Sequence, residues 1–257
     1  MQNHEIETVS GIFLDVVNPN PDDIKLDDIA WALSRQGRYG GHTLSELPYS
    51  VAQHTVMVSR YIEEALTPGE HLYDVLMETI ERGMEQAMLE SDDAKEDHKS
   101  RCEQQFEFLT DLSDRIKMHD LEFKRNVSLH GLLHDFAEAY IVDLPTPVKR
   151  IPGLYEAYKK VERNLDEIIL KRFKFDYVDK WPGMRRYSDY IVGWADMYAL
   201  MVEAYHFMPS RGLTWNLPGL RPQPQMLMSF RFPISAPIAC EELKSRYEEL
   251  KHTPIYD

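Results

Sequence analysis

His134, Asp135 and Glu138 lie close together in an otherwise apolar run from Ser128 to Tyr140. Val127, Leu129, Leu132, Leu133, Phe136 and Tyr140 recur at roughly helical spacing, so a core-packed helix is expected there. Each polar group buried in such a helix without a partner costs about 1–3 kcal/mol. Spacings of three and four residues let the imidazole and both carboxylates point into one space. A divalent cation is the simplest species that stabilises all three.

Two more residues could join them. His54 lies among apolar residues in the first turns of a helix opened by Ser50, where a lone histidine reads as a hydrogen-bonded core residue unless another element supplies partners. Asp196 interrupts the apolar stretch Tyr190–Met201 and is either a buried cap or partner, or a ligand. Together His54, His134, Asp135 and Asp196 would offer two imidazoles and two carboxylates. That set suits one divalent transition metal, Zn, Mn, Co, Fe or Ni, better than an all-oxygen calcium site. The loop Ser34–His42 carries Arg35, Arg38 and three glycines, and either holds an anion or simply ends the helix before it.

The elements that must position these groups read as helices. Residues 10–21 form an extended arm closed by prolines, and a first helix is expected from about Asp22. Ser50 and Gln53 have the spacing of a capping box for the helix carrying His54. Residues 67–120 hold fifteen acidic and six basic residues and read as an acidic helical hairpin turning at Ser91–Lys99. Its outer face reads as a solubilising or oligomer-contacting surface, so a homo-oligomer is one outcome. Prolines in Asp143–Leu144–Pro145–Thr146–Pro147 stop the central helix. Further helices are expected from Leu154 to Phe173, with Tyr155, Tyr158, Val161, Leu165, Ile168 and Ile169 inward, over 184–207, and near Cys240–Leu250. Residues 207–238, rich in proline, aromatics and methionine, are expected to wrap the body or close over the site.

Length and charge bound the class. A chain of 257 residues without a convincing linker reads as one all-α domain over 1–257, with the acidic insertion at 67–120 and the C-terminal wrap and helix at 207–257. A net charge of -14 argues against nucleic acid or an anionic membrane as the main partner, while leaving room for a small anionic ligand. Cys102 and Cys240 are too few for a disulfide framework or a thiolate metal site. No signal pattern follows Met1 and no apolar run approaches spanning length, so a cytoplasmic protein is expected.

The extended pattern resembles the HD-domain phosphohydrolase superfamily. It consists of Ala52-Gln53-His54, the 129–140 helix with His134-Asp135 and Glu138, Asp143-Leu144-Pro145-Thr146-Pro147-Val148-Lys149, and Ala195-Asp196. It is similar to the bacterial 5'-deoxynucleotidases and the related phage deoxynucleoside triphosphate hydrolases, over roughly residues 10–66 and 121–206. The resemblance implies an HD helical bundle and one metal ion held by His54, His134, Asp135 and Asp196. It also implies Glu138 and Asp143 beside the attacked α-phosphate, and an arginine before the second helix on the phosphate. Arg38 is the first choice for that arginine and Arg35 the second. Tyr39 stands where the deoxynucleotidases have a sugar-contacting tryptophan, which is a departure, as is the 67–120 insertion. Lys149 either meets the phosphate or faces solvent. No histidine occurs between Phe136 and Ala195, which favours a one-metal site over the subclasses that need additional histidines there. His130 could chelate with His134, but a packing role is expected because the adjacent pair already fills the pattern. The implied reaction is hydrolysis of a deoxynucleoside monophosphate to nucleoside and phosphate, with triphosphate hydrolysis as the alternative. A regulatory module that binds nucleotide without turnover is the reading from another class.

Overall fold

The computed structural model describes residues 4–92, 96–173, 175, 183–215 and 232–251. It is all-α apart from a small antiparallel ribbon, β1 (Glu5–Glu7) and β2 (Phe13–Asp15), with Ile6 opposite Leu14. The first helix starts later than expected. Pro21–Asp23 is a separate 3-10 turn capped by the Asn20 side chain, Ile24 is extended, and α1 runs only over Leu26–Leu33. The Ser10 amide and hydroxyl both donate to the buried Asp28 carboxylate of α1, at 3.0 and 2.7 Å, which pins the ribbon to the helix.

Two helices form the centre of the molecule: α2 (Val51–Ala65) and α5 (Leu121–Leu133). Ser50 caps α2 by accepting from the Gln53 amide at 3.2 Å. The reciprocal half of the expected capping box is not made. The Gln53 side chain instead donates to the Phe232 carbonyl at 3.2 Å and accepts from the Ile234 amide at 3.3 Å, tying a distant segment to α2. Asp120 caps α5 by accepting from the Glu122 and Phe123 amides.

Each central helix feeds two apolar cores. On one side Val58, Tyr61 and Ile62 of α2, with Phe123 and Val127 of α5, meet the hairpin of α3 (His71–Asp92) and α4 (Glu96–Lys117) through Leu76, Ile80, Leu109 and Leu112. On the other, Val51, Ala52 and Val56, with Leu129, Leu132 and Leu133, meet α1 and the later helices. Both helices run into the stretch Ser91–Lys99 expected as a turn, α3 ending at Asp92 and α4 beginning at Glu96. Next come α6 (Glu138–Ile141), α7 (Thr146–Lys149) and α8 (Leu154–Arg172), then α9 (Met184–Phe207) and α10 (Ala236–Lys251). In α8, Leu165 and Ile169 are buried as expected, whereas Tyr155 is exposed because it lies at the solvent end of the first turn. The last helix begins four residues before the expected Cys240. The part of the expected wrap over 216–231 lies outside the described residues. Among the described helices none is long and apolar enough to cross a membrane.

The expected continuous helix over 128–140 is not continuous. It stops at Leu133, passes through His134–Ala137 as turns, and resumes in α6. Amides of Phe136, Glu138, Ala139 and Tyr140 each bond three residues back rather than four, at 3.0–3.2 Å. His134 contributes to the break: its Nδ1–H donates to the Gly131 carbonyl at 2.7 Å, taking over an acceptor at the helix end.

The crossing of α5 over α2 is closest at Gly131. A Cβ there would run into Ile62 Cδ1 and sit 3.5 Å from Ser59 Cα. Gly131→Ala therefore overpacks the crossing and is expected to cost about 1–3 kcal/mol in denaturant unfolding. An unchanged midpoint would show that the crossing gives way easily.

Candidate metal centre and its surroundings

Three elements aim side chains at one point. α2 contributes His54, the break after α5 contributes His134 and Asp135, and α9 contributes Asp196. One donor atom from each of His54, His134 and Asp196 lies within 4.8 Å of the other two. His54 Nε2 is 3.0 Å from Asp196 Oδ1 and 3.6 Å from Asp135 Oδ2. His134 Nε2 is 3.2 Å from Asp135 Oδ2 and 4.0 Å from Asp196 Oδ1. The structure thus brings together all four residues proposed as ligands from the sequence.

The imidazoles are held by their other nitrogens. His54 is fully buried, and its Nδ1–H donates to Glu203 Oε1 at 2.6 Å. His134 Nδ1–H is committed to the Gly131 carbonyl. In the neutral tautomers this leaves a lone pair on each Nε2, facing carboxylate oxygens that carry lone pairs of their own. Both Nε2 atoms are buried without an aligned hydrogen bond. Acceptors converging on acceptors is an arrangement that a cation resolves, and the donor set of two nitrogens and two carboxylates fits a borderline divalent ion. Asp196 is 45% exposed at its side chain and His54 is not exposed at all, so the site opens to solvent on the α9 side.

Electrostatics follow from burial and pairing. Burial opposes ionisation of Asp135, but His134, His54 and Arg38 hold its carboxyl well below the usual range. Burial also disfavours a charged His134, yet Asp135 and Asp196 raise the imidazole to about 9. Glu138 behaves oppositely. Burial, then the charges of Asp135 and Asp143, push its carboxyl up to about 9 against the pull of Lys149 and Arg38. Its Oε1 accepts from Lys149 Nζ at 3.3 Å, while Oε2 is buried without a partner. Burial raises Asp143 too, with Asp135 adding and Arg38 opposing. Asp143 reaches this neighbourhood through Val142, a β-branched residue at φ 68° and ψ 145°, a conformation that costs about 1–3 kcal/mol and reverses the chain after α6.

Of the two arginines, Arg38 is at the site and Arg35 is not. Arg38 Nε bonds Glu203 Oε2 at 3.1 Å and Nη1 lies 3.5 Å from Asp135 Oδ2. Arg35 lies over the Trp31 ring and donates to the Trp31 carbonyl and Ser34 hydroxyl. The Tyr39 hydroxyl donates to Glu203 Oε2 at 2.7 Å. Lys149 is not merely solvent-facing: it also reaches Glu162 Oε1, at 3.5 Å. His130 packs, as expected. Its Nδ1 pairs with the Ser188 hydroxyl at 2.7 Å, its ring lies against Phe175, and burial lowers its pKa to about 3.

Two residues that sequence reasoning missed hold this site together. Glu203 is fully buried and joins His54, Arg38 and Tyr39. Its signal was available: it lies two helical turns beyond Asp196, on the same face of α9. Gln36 donates to the Glu138 carbonyl at 3.0 Å and accepts from the Asp143 amide at 3.3 Å, joining the loop before α2 to the α6–Asp143 segment. Nothing in its sequence context distinguishes it.

No family model matches the chain. Over 187 residues, 73% of this chain and 67% of the relative, it is 28% identical to the uncharacterized protein YfdR of Escherichia coli (strain K12). A stretch of 61 residues is 39% identical to the uncharacterized protein RCAP_rcc00048 of Rhodobacter capsulatus, covering 24% of this chain and 31% of that one. The chain thus spans less than a third of the second relative's length. Neither name carries an activity.

Glu203→Ala would leave a buried guanidinium, imidazole and phenol without their shared acceptor. Removing one partner of such a buried charge cluster is expected to destabilise by about 3–5 kcal/mol. Chemical denaturation in the presence of chelator checks this. A loss below 1 kcal/mol would mean the three donors find other partners.

Proposed function

We propose that the chain is a metal-dependent nucleotide phosphohydrolase of the HD-domain type, attacking the α-phosphate of a deoxynucleoside monophosphate. The observation that carries this reading is the convergence of the buried Nε2 atoms of His54 and His134 on the carboxylates of Asp135 and Asp196. His54, His134, Asp135 and Asp196 would hold the divalent cation. Bound there, it would supply a water of lowered pKa and charge for the phosphate oxygens.

The chain's own residues account for the rest. Glu138 Oε2, buried and without a hydrogen-bond partner, is the acceptor that orients the attacking water and takes its proton. Its environment gives it more than ordinary proton affinity, and the cation's charge works against that rise. Asp143, whose proton is held by burial, supplies it to the departing 5' oxygen. Arg38 and Lys149 neutralise the phosphate, since phosphoryl transfer relies on positioning and charge stabilisation. Each cation is already poised by carboxylates, Arg38 by Glu203 and Asp135, Lys149 by Glu138 and Glu162.

The same charges favour the monophosphate. Arg38 and Lys149 are the Lys and Arg cations bearing most on Glu138 and Asp143 among the described residues, and both face several acids. A triphosphate would bring further negative charge that Arg38 and Lys149 would have to neutralise as well. Incubating the protein with each nucleotide plus Co or Mn and separating the products tests the reading. Phosphate and deoxynucleoside are expected. Triphosphate as product would select the alternative substrate, and no release from any nucleotide would leave a binding module.

Glu138→Gln is expected to lower turnover about 10²–10⁴-fold with metal content kept. The same substitution bears on stability. Below about pH 4.5, the ordinary value for this group, Glu138 is protonated both folded and unfolded. Between there and about 9 the unfolded chain gains by ionising and the fold does not, so native stability falls as pH rises. Glu138→Gln, measured in chelator, should therefore stabilise the protein more at pH 8 than at pH 5. Equal effects at both would show that Glu138 titrates normally.

A further inference from the structure

The α3–α4 hairpin carries a second constellation of metal-ligating types that the reaction above does not use. His98 and Cys102 are four residues apart on α4, so both face the same side of the helix. Glu90, near the end of α3, lies across from them. One donor atom from each of the three lies within 4.8 Å of the other two. Cys102 is buried at 4% exposure, whereas Glu90 and His98 are exposed. The thiol is therefore shielded below two donors that solvent can reach.

We infer that Glu90, His98 and Cys102 form a binding site for a thiophilic divalent cation, zinc in class, which clips the far ends of α3 and α4 together. Ligand bonds of about 2.0–2.3 Å require donor atoms roughly 3.3–3.8 Å apart around a tetrahedral ion, a contraction within the reach of side-chain rotation. The two helices are already packed against each other elsewhere in the hairpin. Further along the hairpin a Cβ on Gly83 would sit 2.9 Å from Leu109 Cδ1, and the Thr110 hydroxyl is 3.5 Å from Met84 Sδ. Glu90 is oriented from outside the site, because Gln86 Nε2 donates to its Oε1 at 2.7 Å. A thiolate selects against Mg and Ca, and three protein donors leave the fourth position to water. On binding, Cys102 loses its thiol proton to solvent as the sulfur–metal bond forms. A site with a single thiolate beside an imidazole and a carboxylate departs from the expectation that two cysteines are too few for a thiolate metal site.

Cobalt(II) titration of the full chain, followed by absorption, tests this apart from the centre at His54, which has no sulfur donor. Cobalt should give a near-ultraviolet thiolate-to-metal charge-transfer band, displaced by added zinc. Cys102→Ser should abolish the band, and Cys240→Ser should leave it intact. His98→Gln, an exposed substitution that does not burden the fold, should weaken or abolish it. Absence of the band in the unsubstituted protein, or its persistence in Cys102→Ser, overturns the inference.

Discussion

The carboxylate of Glu203 organises the site. It lies at zero exposure and receives three donors, His54 Nδ1, Arg38 Nε and the Tyr39 hydroxyl. Burial alone would force it to keep its proton, but the charges of Arg38 and His54 and the hydrogen bonds hold it ionised. Because it fixes His54 through Nδ1, it decides that Nε2 faces the interior of the site. Because it fixes Arg38 through Nε, it leaves the outer guanidinium nitrogens directed at Asp135. Tyr39 adopts φ 60° beside Gly40, a left-handed conformation uncommon for a tyrosine, and the loop in this form delivers its hydroxyl to the same carboxylate. One buried charge therefore fixes the His54 imidazole, the Arg38 guanidinium and the loop between α1 and α2.

A second constraint is the interruption of the central helix. A continuous helix would keep Glu138 on the same side as His134 and Asp135. The tightened turns at His134–Ala137 instead direct His134 and Asp135 toward α2 and α9, while α6 carries Glu138 to the side where Lys149 waits. Gln36 bridges the far end of this break, joining Glu138 and Asp143 to the loop bearing Arg38. The acidic residues further out on α8 belong to the same field: burial, with Glu162 and Asp135, lifts Asp166 to about 7.

Much of this was legible in the sequence because it rests on periodicity and residue type. The all-α class, the spans of α8 and α9 and the capping of α2 by Ser50 follow from apolar spacing and residue type, whereas the meeting of His54, His134, Asp135 and Asp196 was implied by the resemblance, the residues alone leaving His54 and Asp196 open. What was not legible depends on backbone departures and long-range partners. Nothing local distinguishes a helix that breaks after Leu133 from one that continues to Tyr140. The separation of Pro21–Asp23 from α1 turns on one extended residue, Ile24. Gln53 has the right spacing for a reciprocal cap, yet its side chain is drawn to residues 232–234, a competition visible only once the chain has folded. Glu203 shows the reverse case, since its spacing from Asp196 is readable and its three donors come from elsewhere in the chain.

Crystals soaked in manganese or cobalt and measured at the metal's absorption edge test the central claim most directly. The account predicts an anomalous peak within coordination distance of His54 Nε2, His134 Nε2, Asp135 and Asp196, with Glu203 still bonded to His54 Nδ1. A well-ordered site with no peak at that point, or with His54 turned away from Asp196 and its Nδ1 released from Glu203, would contradict it.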